Sequence, residues 1–204
     1  FHDDASEYSA TRARKKIEEN TLEEGDLPEF SNFSVMSALE NGNIVDYKKF
    51  ETVVLATLRR AAVFGLPKKE LYGLSGGLEN RILKFAPSAT SLYELYESVK
   101  TKRYAFSAVR RGVLSMFFGL DKVPELPTYF HVLAFSEKGR ELLKNLKKSD
   151  FPVYHSLPSE KDDKFTEEMK TEVFADNIYS LCKKKTEKGG QSFYNTSFNK
   201  IRGV

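Results

Sequence analysis

Two stretches of this 204-residue chain set cations and hydroxyls where they could act on an anion. The first, "SATRAR", places Ser9, Thr11 and Arg14 at the start of a helical run. Unpaired backbone amides, two hydroxyls and the helix dipole there favour negative charge, and an arginine one turn on adds a fixed positive charge. The same residues also make an ordinary helix cap. The second stretch, "VKTKRYAFSAVRRGVLSMFFGL", carries Lys100, Lys102, Arg103, Arg110 and Arg111, ends almost wholly apolar, and has no acid before Asp121. On a helical wheel Arg103, Arg110 and Arg111 share one side, about a quarter turn from Phe106, Val113 and Phe117. Such a helix can bury one face and offer the other to phosphates, or lay its arginines over the core edge and pair them with Glu94 or Glu97. Lys138 and Arg140, at the start of "SEKGRELLK", are weaker phosphate contacts, since their charges also solvate that helix.

Other chemistry finds no constellation. His2, His131 and His155 lie in separate segments and Cys182 has no partner nearby in sequence, so no metal site is expected. "LSGGLENR" has adjacent glycines but no following Lys-Ser/Thr, and neither a nucleophile elbow nor a dinucleotide fingerprint occurs. Gly76 and Gly77 read instead as a tight start to a helix or as a site of close packing. The acidic pairs Glu23/Glu24, Asp162/Asp163 and Glu167/Glu168 fall in polar runs that suit a solvated face. No catalytic residue is assigned.

The elements that must position these residues are mostly helical. With 40% hydrophobic residues the chain can bury one good core, and a net charge of +3 is too small to identify a polyanionic partner by itself. One cysteine allows no internal disulfide and suits a reducing compartment. No apolar run approaches the roughly 20 residues that span a bilayer. A cytoplasmic protein without membrane contact is expected. Helices are predicted over "SATRARKKIEEN", over "DYKKFETVVLATLRRAA" behind the cap Asp46, over "LPKKELYGLSGGLENRILKFA" from Pro67, and over "SLYELYESVK" behind Thr90 or Ser91. The cationic stretch itself reads as the longest amphipathic helix. Residues 21–45 read as a loop with a short helical turn near Ser34 to Glu40. "TYFHVLAFS" and "FPVYHSL" read as two strands around a helix capped by Ser136, and "TEEMKTEVFADNIYSLCKKK" as a last helix ending in lysines. The tail from Gly189 reads as extended. The fold class is therefore mainly α: a helical domain with a small α/β element of two short strands near the C-terminus.

"FHDDASEYSATRAR" resembles the end of an adenylyl-transferring domain of the nucleotidyltransferase superfamily, with Ser9, Thr11 and Arg14 matching its S-[ST]-T-x-I-R element and Ala10 and Ala13 departing from it. "GLENRI", "VKTKRY", "YFHVLAFSEKGRELLK", "ADNIYSL" and "FYNTSFNKI" follow in the order found in the bacterial tRNA-Met cytidine acetate ligase family. That resemblance implies an enzyme that activates acetate with ATP as acetyl-adenylate and acetylates N4 of the wobble cytidine of elongator tRNA-Met. The H-x-G-H-type motif of its Rossmann-like domain is absent from this sequence. The chain therefore resembles the C-terminal half. The division implied is residues 1–20 as the end of the nucleotidyltransferase domain, 21–45 as a linker, and 46–204 as a helical tRNA-binding domain. ATP would be bound mainly by the part not present. Ser9, Thr11 and Arg14 would be its remnant here, and the chain alone is expected not to form acetyl-adenylate. His131 stands where the family has arginine, and Ala134 where it has glycine, which weighs against RNA contact by that strand. Two other readings stay open on the residues: the remnant of a nucleotidyltransferase acting on a small molecule, and a non-catalytic helical interaction module.

Overall fold

The computed structural model describes residues 9–67, 70–121, 128–146, 148, 150–156, 158, 161–164, 166–190 and 199–200. Its centre is a bundle of α3 (Tyr47–Phe64), α4 (Leu78–Phe85), α5 (Leu92–Val99) and α6 (Phe106–Phe118), closed on one side by α8 (Glu167–Cys182). Each helix gives one apolar stripe to a common core: Val54, Leu55 and Leu58 from α3, Leu78 and Ile82 from α4, Leu92, Leu95 and Val99 from α5, and Val109, Val113, Met116 and Phe117 from α6. Burial of these side chains, each stabilising by about 1.5–3 kcal/mol, is what holds such short helices helical. Where α4 crosses α6, Gly112 lets the two approach. A Cβ there would lie 2.9 Å from Leu74 Cδ2.

The helix starts obey their caps. Asp46 accepts a hydrogen bond from the Lys48 amide, Ser91 from the Glu94 amide and Thr166 from the Met169 amide. Two arginines close helix ends. Arg59 of α3 donates to the Ala89 carbonyl at 2.8 Å, just past α4, and Arg81 of α4 donates to the Val99 and Ser98 carbonyls at the end of α5, at 2.7 and 3.0 Å. The C-terminus of α8 is tied to the start of α3, since the Asp46 amide donates to the Cys182 carbonyl and Lys49 Nζ donates to the Lys183 carbonyl. The lysine run expected to end the last helix is therefore partly structural, with Lys183 in a bridge to Val45.

Several expected boundaries move. The helix predicted from Pro67 begins only at Leu78, because Gly73, Gly76 and Gly77 take positive φ values of 72°, 62° and 84° that side-chain-bearing residues resist. Residues 21–45, read as a loop, contain a full helix, α2 (Glu29–Glu40). The cationic stretch is not one helix. Val99 ends α5, Lys100 to Ala105 form the α5–α6 connection, and α3 is longer than α6. The strand expected over "TYFHVLAFS" is broken into β1 (Phe130–His131) and β2 (Ala134–Phe135). β1 pairs in parallel with β3 (Val153–Tyr154), and β2 in parallel with β4 (Asn199–Lys200), with α7 (Glu137–Leu146) between β2 and β3. The mainly α class with a small α/β element describes the result. Most of the tail from Gly189, His2, and the Glu7–Tyr8 end of the N-terminal motif lie outside the described residues.

Candidate functional site

α1 (Ala10–Glu19) begins behind Ser9, whose side chain makes no capping hydrogen bond although its carbonyl accepts from the Ala13 amide. Three of the four cations of this helix have acidic partners. Lys16 meets Asp26 at 2.5 Å, Arg12 reaches the same carboxylate at 4.0 Å, and Lys15 pairs with Glu19. The Lys16 hydrogen bond, with help from the Glu23 amide, holds the Asp26 carboxyl below the usual range. Arg14 is exposed and has no acidic partner among the described residues. Thr11 is also exposed, so among the described residues Ser9, Thr11 and Arg14 leave two hydroxyls and a cation without an acidic partner at one helix start.

The cation cluster is brought to one end of the bundle, but not as the helical wheel had it. Arg103 lies before α6, in a turn where the Thr101 hydroxyl accepts from the Arg103 and Tyr104 amides at 3.2 and 3.1 Å. Its guanidinium lies over the Tyr104 ring, 5.5 Å from the centroid, and against Gly76, where a Cβ would strike it. The shared helical face proposed for Arg103 is thus corrected, since a hydroxyl in this position competes with the helix for the backbone amides. Tyr104 donates its hydroxyl to the Gly76 carbonyl, which fixes the α5–α6 connection to the start of α4. Lys100 sits 3.7 Å from Glu97 and 5.8 Å from the Phe106 ring centroid. Lys102 and Arg111 are exposed, and neither has an acidic partner among the described residues. Arg110 is exposed, and its charge acts on the Tyr47 and Tyr96 phenols. The pairing of the arginines with Glu94 that the sequence allowed is not made, because Glu94 accepts from the Thr90 amide and hydroxyl.

Electrostatics at this end run against simple stability. α6 has no acid in its first turn and no side-chain cap, so its positive end faces Lys102 and Arg103. Cations beside a helix N-terminus cost stability, and an external anion would offset that cost. Lys138 and Arg140 are elsewhere, on α7, which packs against β2, and Arg140 reaches Glu137 at 4.0 Å. His131 is turned inward, its Nδ1 3.6 Å from Glu172 of α8 with the side chain 7% exposed. Among the described residues there is no group of three or more metal-ligating side chains, and no helix is long and apolar enough to cross a membrane. Sequence reasoning missed which cations are structural: nothing in "NRILKF" or "LRRAA" marks Arg81 and Arg59 as closing helix ends across the bundle.

Known proteins resemble this chain along most of its length. A family model described as HIGH Nucleotidyl Transferase matches residues 1–192. The tRNA(Met) cytidine acetate ligase of Thermoanaerobacter sp. (strain X514) is 31% identical over 194 residues, covering 91% of this chain and 47% of that protein. The ligase of the same name from Clostridium kluyveri (strain ATCC 8527) is 33% identical over 186 residues, covering 86% of this chain and 44% of that protein. A crystal structure of Thermotoga maritima TmcAL bound with alpha-thio ATP superposes with a TM-score of 0.74 at 27% identity, covering 93% of this chain and 51% of that one. The chain thus spans about half the length of the curated relatives it matches.

Proposed function

The chain belongs to the HIGH nucleotidyl transferase family, and from that premise we propose that it is the tRNA-holding, C-terminal half of an ATP-dependent ligase. The whole enzyme would activate acetate as acetyl-adenylate and acetylate N4 of the wobble cytidine of elongator tRNA-Met, a reading supported as to tRNA(Met), cytidine and acetate by relatives called tRNA(Met) cytidine acetate ligase. In this reading residues 1–20 end the nucleotidyltransferase domain, 21–45 connect, and 46–204 dock tRNA.

One observation carries the proposal for this half: exposed cations without acidic partners among the described residues, Lys102 just before α6 and Arg110 and Arg111 in its second turn, stand on the first half of a helix whose other face is packed into the core. A polyanion held this way is positioned by its phosphates, without its sequence being read. Ser9, Thr11 and Arg14 would meet the ATP phosphates held by the other half, and a relative's structure bound with alpha-thio ATP supports nucleotide binding by the whole enzyme. Lys138 and Arg140 would add contacts only if tRNA reaches α7.

The test uses the intact ligase that carries this chain. Arg110→Gln with Arg111→Gln should raise KM for elongator tRNA-Met at least about tenfold, the loss expected for two phosphate contacts. Acetate-dependent ATP–pyrophosphate exchange should stay at the parent rate, and Arg14→Ala should lower that exchange. A double variant with the parent's KM for tRNA would sink the docking role.

A further inference from the structure

Arg110 is part of a cluster of rings that the docking role does not use. Arg110 follows Phe106 by one turn of α6, and its charge reaches the phenols of Tyr47, at the start of α3, and Tyr96, on α5. Tyr96 meets Phe106 edge-on at 5.5 Å between centroids, and Phe106 lies 6.3 Å from Tyr93. On the other side Tyr47 lies 6.5 Å from Phe50, which is itself edge-on to Phe117 in the core. The cluster therefore grades from inside to outside. Tyr96 is 8% exposed, whereas Tyr47 is 48% and Tyr93 66% exposed.

Of the acids around these rings, Glu18 of α1 is exposed and acts on Tyr47, and the other three are engaged. Glu51 accepts from the Leu92 amide at 2.7 Å, Glu94 from Thr90, and Glu97 lies against Lys100. The surface thus presents two exposed tyrosine rings that lean on core phenylalanines, and an arginine with no acidic partner among the described residues. A carboxylate-rich protein surface would use the arginine and leave the rings idle, and an apolar partner would strand the arginine. An unpaired nucleotide satisfies both, its base on a ring and its phosphate on the guanidinium.

We propose that Tyr93 and Tyr47, beside Arg110, form a stacking platform for unpaired bases of RNA. The platform rests on the reading that this end of the bundle holds RNA, and adds that part of that RNA is single-stranded where it touches α5 and the start of α3. Duplex RNA keeps its bases stacked inside and can use only the cations.

The experiment measures affinity of the chain for a short unpaired RNA oligonucleotide and for a blunt RNA duplex of equal charge. The variants are Tyr47→Leu with Tyr93→Leu, which keeps apolar bulk without rings, and Tyr47→Phe with Tyr93→Phe, which keeps the rings. The parent should prefer the unpaired strand. The leucine pair should lose roughly tenfold or more on that strand, within the range of base–aromatic stacking, while its duplex affinity stays at the parent value and certifies the fold. The phenylalanine pair should bind both RNAs as the parent does. Leucine variants with undiminished affinity for the unpaired strand, or with equal losses on both RNAs, overturn the platform and leave the docking reading standing. A parent chain that binds neither RNA overturns both.

Discussion

Arg81 and Arg111 are both arginines on short helices of the same bundle, and their replacement should have opposite consequences. The carbonyls of the last turn of α5 have no partner within the helix. Arg81 supplies one for Val99 at 2.7 Å and one for Ser98 at 3.0 Å, and its guanidinium also lies 5.0 Å from the Phe85 centroid. A hydrogen bond from a charged donor contributes about 1.5–3 kcal/mol when buried; this side chain is half-buried, so the pair together is worth about 2–3 kcal/mol. The ring contact adds about 0.5–1 kcal/mol. Arg81→Ala should therefore lose about 3 kcal/mol, which in a chain of this size lowers Tm by roughly 6–12 °C. Arg81→Lys, which can keep at most one of the two bonds, should lose about half as much. Arg111 is exposed and makes no ion pair or ring contact among the described residues, so Arg111→Ala should stay within about 0.5 kcal/mol of the parent. Urea and thermal denaturation followed by helical circular dichroism measure all three. An Arg81→Ala variant as stable as the parent, or an Arg111→Ala variant equally damaged, would refute the division into structural and docking arginines.

Gly112→Ala gains about 1 kcal/mol of helix propensity and gives most of it back by pushing Leu74 Cδ2, so its urea midpoint should barely move, whereas Gly112→Val overpacks the α4–α6 crossing and should cost about 2 kcal/mol. A fully stable valine variant would show that the two helices do not approach as described. Burial, then the neighbouring Tyr47, pushes the Tyr96 phenol up to about 12, with Arg110 opposing. A folded value above the unfolded one near 10 gives stability that is complete below about pH 10 and lost as pH rises towards the folded value. Denaturation midpoints should fall over that window in the parent more than in Tyr96→Phe, and parallel profiles would contradict the assignment.

The helices that the sequence shows clearly are those where cap and stripe agree. Asp46, Ser91 and Thr166 each begin a helix whose apolar positions recur at three and four, and α3, α5 and α8 follow. Boundaries were lost where a local competitor acts without a strong residue signal. Thr101 captures two amides and stops α6 from reaching back to Val99, although Lys-Thr-Lys-Arg contains no breaker. α2 hides because its apolar residues do not gather on one side; Phe33 is 83% exposed. The pairing of β2 with β4 joins segments more than sixty residues apart and has no local signature. For the candidate site, the sequence showed where cations gather but not which of them are already bonded. Lys16, Lys49, Arg59 and Arg81 hold the fold through contacts from other elements, while Lys102, Arg110 and Arg111 do not.

The most direct test of tRNA docking at the α5–α6 end is the salt dependence of affinity for elongator tRNA-Met. With about four of Lys100, Lys102, Arg103, Arg110 and Arg111 on phosphates, log affinity against log salt should fall with a slope near −3, at roughly 0.7–0.9 per contact. Arg110→Gln with Arg111→Gln should flatten that slope by about 1.5, while Lys170→Gln, an exposed lysine of α8 paired with Glu167, should leave it unchanged. A double variant that keeps the parent's affinity and slope would contradict the account.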